Sequence, residues 1–84
     1  MNIMSQDFRT LVNYDNVCSL YYRLDSDKQY RIYAMYSAVG DRCILTDILY
    51  TANEEEKIMS VFEKFVNAID SNLNKNVLYM SDYE

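Results

Sequence analysis

Residues 53–73 read as one amphipathic helix, and one such helix cannot bury itself. From Ile58 onward the apolar residues Ile58, Phe62, Phe65, Val66, Ile69 and Leu73 fall at spacings of four, three, one, three and four. That is a single stripe on a 3.6-residue period. Thr51 or Asn53 caps the helix in this reading, since each has a glutamate three positions on, and Glu54, Glu55 and Glu56 suit the positive end of the helix dipole. The helix is expected over about residues 53–73. Its stripe needs a second layer, which the preceding residues must supply.

That layer reads as strands. Cys18, Leu20, Tyr22 and Leu24 alternate with Val17, Ser19, Tyr21 and Arg23; further on, Tyr30, Ile32, Ala34 and Tyr36 alternate with Arg31, Tyr33, Met35 and Ser37. Period two marks a strand with one buried face. The polar stretch from Asp25 to Gln29 has hairpin length, so these strands are expected to be antiparallel neighbours. A third strand from Cys43 to Thr51 follows Gly40, the chain's one glycine and the expected site of a positive φ. Upstream, "RTLVN" and "NIM" are short strand candidates, with a turn at "YDN". "NVLYMSDYE" reads as a short last strand or a partly ordered tail over 75–84. The expectation is an α+β fold. An antiparallel β-meander of three to five strands carries one long C-terminal helix packed on one face, in a single domain over 1–84.

Both hairpins agree on which face meets the helix. With Leu24 opposite Tyr30, Tyr22 meets Ile32, Leu20 meets Ala34 and Cys18 meets Tyr36. Placing Tyr36 opposite Ile44, Ile32 opposite Ile48 and Tyr30 opposite Tyr50 continues that face. Cys18 is expected beneath the helix and Cys43 open on the other side. The opposite face then holds Tyr21 across from Tyr33, Arg23 across from Arg31, and Met35 beside Leu45, with Asp47 next to Tyr33. Two opposed arginines are unfavourable unless an anion lies between them, and Asp47 is the carboxylate this register offers. One helix covers one face. Tyr21, Arg23, Arg31, Tyr33, Met35, Leu45 and Asp47 are therefore the candidate partner-binding surface, since Tyr, Met and Arg are the types enriched where proteins meet. The alternative is a plain solvated face, which antiparallel sheets often have.

A formal net charge of −5 repels polyanions, so nucleic acid and membrane surfaces are disfavoured partners. Stacked tyrosines beside arginines do resemble a platform for single-stranded nucleic acid, the alternative function for this face. The chain has no histidine, which removes the commonest general base and metal ligand. Its two cysteines, without a secretory pattern at the start, read as thiols in a cytoplasmic protein. Consecutive Glu54–Glu56 fan around a helix axis, and Asp25 and Asp27 lack the further ligands of a calcium loop. No enzyme activity, cofactor or metal is expected.

"SQDFRTLVNYDNVCSLYY", followed by "YRIYAMYS" and "ILTDILYTANEEE", resembles small uncharacterised phage and mobile-element proteins of Gram-positive bacteria. Those proteins have an (S/T)QD step, an L(V/I)N-x-DN segment and a strand that runs into a T-x-E-E helix cap. Ser5, Gln6, Asp7, Leu11, Val12, Asn13, Asp15 and Asn16 carry the likeness, which extends over roughly residues 3–70; "LTDILYTAN" is a longer approach to the helix than the pattern has. The resemblance implies a fold more than an activity. Proteins of this size and origin include anti-CRISPR and other inhibitors of host defence, so a larger host protein, blocked sterically, is the implied partner. Self-association, as a dimer, is the other partner expected of this face.

Overall fold

The computed structural model describes residues 1–37, 44–71 and 76–84. Gly40, Cys43 and Leu73, each given a role above, lie outside the described residues. The elements run β1 (Asn2–Met4), β2 (Leu11–Asn13), β3 (Ser19–Leu24), β4 (Tyr30–Ser37), β5 (Ile44–Ala52), α1 (Glu55–Ser71) and β6 (Val77–Tyr79), with 3-10 turns at Tyr14–Asn16 and Met80–Tyr83. The fold is α+β, and β3, β4 and β5 form the expected antiparallel meander. The short strands do not extend it. They form a second three-stranded sheet in the order β2-β1-β6, in which β1 runs antiparallel to β2 and parallel to β6.

The β3–β4 register is the expected one, with Leu24 opposite Tyr30, Tyr22 opposite Ile32 and Leu20 opposite Ala34. The β4–β5 register is not. Tyr36 lies opposite Leu45, Ala34 opposite Asp47 and Tyr33 opposite Ile48, after which the ladder slips so that Ile32 meets Tyr50 and Tyr30 meets Ala52. Leu49 is the extra residue of a β-bulge, which sends two neighbours, Leu49 and Tyr50, into the core together. Asp47 and Leu45 consequently belong to the helix side of the sheet, and Thr46 and Ile48 take their places on the other side.

Gln6 ties the second sheet to this bulge. Its N–H donates to the Leu49 carbonyl at 2.8 Å, and its side-chain carbonyl accepts from Thr51 N–H at 3.0 Å. Thr51 is therefore a strand residue with its amide engaged, not a helix cap. The helix opens at Glu55, with the Ile58 amide donating to the Glu54 carbonyl at 3.2 Å.

The helix buries Ile58, Val61, Phe65 and Ile69 in a single cluster with Ile32, Ala34, Leu49 and Tyr50 of the meander and Ile3, Val12, Leu78 and Met80 of the second sheet and its flank. Val61 replaces Val66 on the expected stripe because two sheets meet this helix. Phe62 packs edge-on against Tyr22 of β3, while Phe65 meets Tyr83 at 6.0 Å. Val66 is left exposed. Cys18 is exposed too, since it sits in a bend before β3 and not within the strand, which corrects its expected place beneath the helix. Among the described residues no helix is long and apolar enough to cross a membrane. Phe65→Ala should cost about 3–5 kcal/mol in urea unfolding, and Phe62→Ala distinctly less, because only Phe65 is wholly enclosed.

Candidate functional site

The face of the meander turned away from α1 is built in rows set by the ladder. Ser19, Met35 and Thr46 form one row, Tyr21, Tyr33 and Ile48 the next, and Arg23, Arg31 and Thr51 the third. Tyr21, Arg23, Arg31, Tyr33 and Met35 thus share one face as expected, whereas Leu45 and Asp47 are on the other. Asp47 accepts from the Tyr36 hydroxyl at 3.0 Å there, and Leu45 is 60% exposed at the far end of the sheet.

The anion required between the opposed arginines comes from the hairpin loop. Asp25 Oδ1 accepts from Arg23 Nε at 2.7 Å, and its Oδ2 accepts from Arg31 Nη1 at 2.8 Å and from the Tyr33 hydroxyl. Asp27 completes the arrangement by receiving Arg31 through both oxygens, at 3.0 and 2.6 Å. Two parallel N–H···O bonds fix the guanidinium plane, which a single point contact would not do. The loop reaches back because its turn is tight. Lys28 N–H donates to the Asp25 carbonyl, Gln29 N–H to Asp27 Oδ1, and Lys28 takes φ of 64° to close the hairpin.

Tyr33 is covered by these neighbours. Tyr21 stacks on it at 5.4 Å between centroids, Arg23 lies over its ring at 4.7 Å, and only 6% of the residue is exposed. It is a foundation of the face and not its contact surface, so Tyr33→Ala is expected to lower stability as well as any binding. Burial, followed by the hydrogen bond to Asp25, raises the Tyr33 phenol above its ordinary value. The same hydroxyl, with Arg31 next in effect, holds the Asp25 carboxyl down at about 2. The apolar surface that remains accessible is Ile48, 46% exposed, with Tyr21 and Met35 half-buried on the same face and Arg23 and Thr46 exposed around it. Next to Ile48 the face continues into an open groove of about 600 Å³ whose walls include Gln6, Asp7, Thr10, Arg31 and Thr51.

Ile48 was hidden in the sequence by its neighbours: "ILY" places three apolar residues in succession, so period two alone does not say which one points outward. A second patch is equally silent in the sequence. Phe8, 59% exposed, stands at φ of 60° in the β1–β2 turn, tilted against Tyr79 at 6.3 Å, and the cross-strand row of Leu11, Met4 and Tyr79 runs beside it. The turn copies the Asp25 hairpin: Asp7 accepts from Arg9 N–H at 3.1 Å and from the Ser5 hydroxyl at 2.6 Å. Those bonds hold an aromatic residue in a left-handed conformation that costs about 1–2 kcal/mol. Asn13 likewise caps the next turn by accepting from Asp15 N–H at 3.0 Å. Ser5, Asp7 and Asn13 of the SQD and LVN-x-DN segments are thus turn builders, whereas Leu11 and Val12 form β2, with Val12 in the core. No family model, curated protein or solved structure matches the chain.

The Asp25 bridge makes a pH signature. Its carboxyl sits at about 2 in the folded chain against 3.8 ordinarily, so the unfolded state binds the proton first, and the bridge's stabilisation is whole above about pH 4 and lost by about pH 2. Asp7 and Asp27, also lowered by hydrogen bonds from Ser5 and Arg31 respectively, add to the same slope. Urea midpoints measured across this range should fall with pH, and Asp25→Asn should flatten the fall without abolishing it. An unchanged slope would mean that Asp25 does not bridge the arginines.

Proposed function

We propose that the chain is a non-enzymatic protein-binding module whose contact surface is the meander face away from the helix. The observation that carries this reading is the pairing of accessible apolar groups with a fixed polar frame. Ile48 and Tyr21 lie in the row next to Arg23 and Arg31, with Met35 one row further on, and the positions of the arginines are set by Asp25 and Asp27 before any partner arrives. Side chains already locked lose little further freedom on binding, so more of the contact energy is kept as affinity. Aromatic and apolar groups at the centre with charged groups around them match the anatomy of a binding hot spot. In a host cell this face would serve the role implied by the sequence resemblance, steric occlusion of a larger protein's surface.

Single-stranded nucleic acid on the same face has less support. Both arginines are neutralised by carboxylates of the chain itself, and the Tyr33 ring is already stacked by Tyr21 and covered by Arg23, with only 6% of the residue exposed.

The test is capture from a bacterial lysate with and without nuclease, followed by titration of the recovered protein against surface variants. Ile48→Asp should weaken binding by about 30-fold or more, the equivalent of a hot-spot loss of about 2 kcal/mol, while leaving the melting temperature within a few degrees. Phe8→Ser should leave affinity unchanged. Loss of binding with Phe8→Ser and not with Ile48→Asp would move the contact to the second sheet. Recovery that disappears on nuclease treatment would favour the nucleic-acid reading.

A further inference from the structure

The two edges of the meander are treated differently. The β5 edge is interrupted: it carries the bulge, and Gln6 occupies the Leu49 carbonyl and the Thr51 amide. The β3 edge pairs with nothing among the described residues beyond its own neighbour β4. Edge strands are ordinarily blunted by lysine, proline or a bulge, and "SLYYRL" contains neither lysine nor proline and pairs with β4 without a slip. Its single charged residue, Arg23, is drawn away to Asp25 at 2.7 Å.

The outward groups can be named. Asp25 N–H donates to the Gln29 carbonyl at 2.9 Å, which marks a hydrogen-bonded pair at the hairpin end. Alternation along the ladder then makes Arg23–Arg31 and Tyr21–Tyr33 bonded pairs and turns the N–H and C=O groups of Leu20, Tyr22 and Leu24 away from β4.

We propose that this edge joins the same edge of a second copy, antiparallel and centred on Tyr22, so that two three-stranded meanders become one six-stranded sheet. The edge is complementary to itself in that register. Tyr22 meets its own counterpart, and Leu20 meets Leu24 of the other copy. These are the residues whose backbone groups point outward, so each pair closes two main-chain bonds. Leu24, 55% exposed on the helix side of the sheet, is the knob. The matching hole is a groove of about 320 Å³ whose walls include Val17, Cys18, Ser19, Leu20, Phe62 and Val66, which lies on that same side beside Leu20. A two-fold axis normal to the sheet delivers each Leu24 to the other copy's groove and covers the exposed Val66 there. On the opposite face Arg23 falls across from Tyr21, and no like charges are directly opposed. The docking face described under Proposed function stays uncovered, so the two proposals stand or fall separately.

Sedimentation velocity over a concentration series reaching about 1 mM should show a monomer–dimer equilibrium. Leu24→Glu, at a position exposed in the single chain, should weaken it by about 100-fold or more with the circular dichroism unchanged, because the carboxylate would be buried against Val17, Leu20, Phe62 and Val66 with no cation among the groove's lining residues. Amide exchange read by NMR gives the register. Leu20, Tyr22 and Leu24 should gain protection only as the dimer forms, whereas Tyr21 and Arg23 should be protected at every concentration. A chain that stays monomeric throughout overturns the proposal. So does a dimer that ignores Leu24→Glu, or one whose Leu20, Tyr22 and Leu24 amides exchange as in the monomer. Protection of those three amides in the monomer itself would mean that another part of the chain already covers the edge, and that too overturns it.

Discussion

Leu49, the residue that β5 carries in excess of its partner, decides how the rest of the molecule is assembled. Without the bulge a strict alternation would bury either Leu49 or Tyr50, and the other would face water. With it, both enter the core at 1% and 3% exposure, and the strand's outward row is re-aimed so that Ile48 lands beside Tyr33. The bulge also leaves β5 with polar backbone groups that need partners. Gln6 meets them, and in doing so it draws the β1–β2 turn, and the sheet behind it, against the meander. One local irregularity thus sets which side chains β5 turns away from the helix, the partners of its Leu49 carbonyl and Thr51 amide, and the contact between the two sheets.

A second constraint acts at the opposite end of the same face. Two arginines opposed across an antiparallel pair repel, and the chain resolves this with the loop between them and not with a neighbouring strand. Because Asp25 and Asp27 belong to the connection of that same hairpin, the counter-charge forms with the turn. The result is a face whose charges are satisfied internally. That favours an apolar contact with a protein over attraction to a phosphate backbone, and it leaves the β3 edge electrically quiet. The helix side answers a different need: Phe62 and Phe65 reach toward different partners, Tyr22 and Tyr83, because α1 is shared by two sheets.

Much of this was written in short-range pattern. The four-three spacing of apolar residues determined that there would be one helix, and two runs of strict alternation joined by five polar residues determined the β3–β4 hairpin together with its register, down to Tyr21 opposite Tyr33 and Arg23 opposite Arg31. Neighbouring residues and a tight turn leave such a hairpin few choices. Tertiary structure alone decided the rest. The parallel pairing of Asn2–Met4 with Val77–Tyr79 joins segments from opposite ends of the chain and leaves no local trace. The three apolar residues Ile48, Leu49 and Tyr50 are compatible with more than one parity, and only the space beneath the helix selects the pair that is buried. Asp25 looked like a solvated loop residue because its acceptors became useful only once two strands had brought Arg23, Arg31 and Tyr33 within reach of one carboxylate. Local period sets what each segment becomes; burial and charge satisfaction between distant segments set which of its side chains are left exposed.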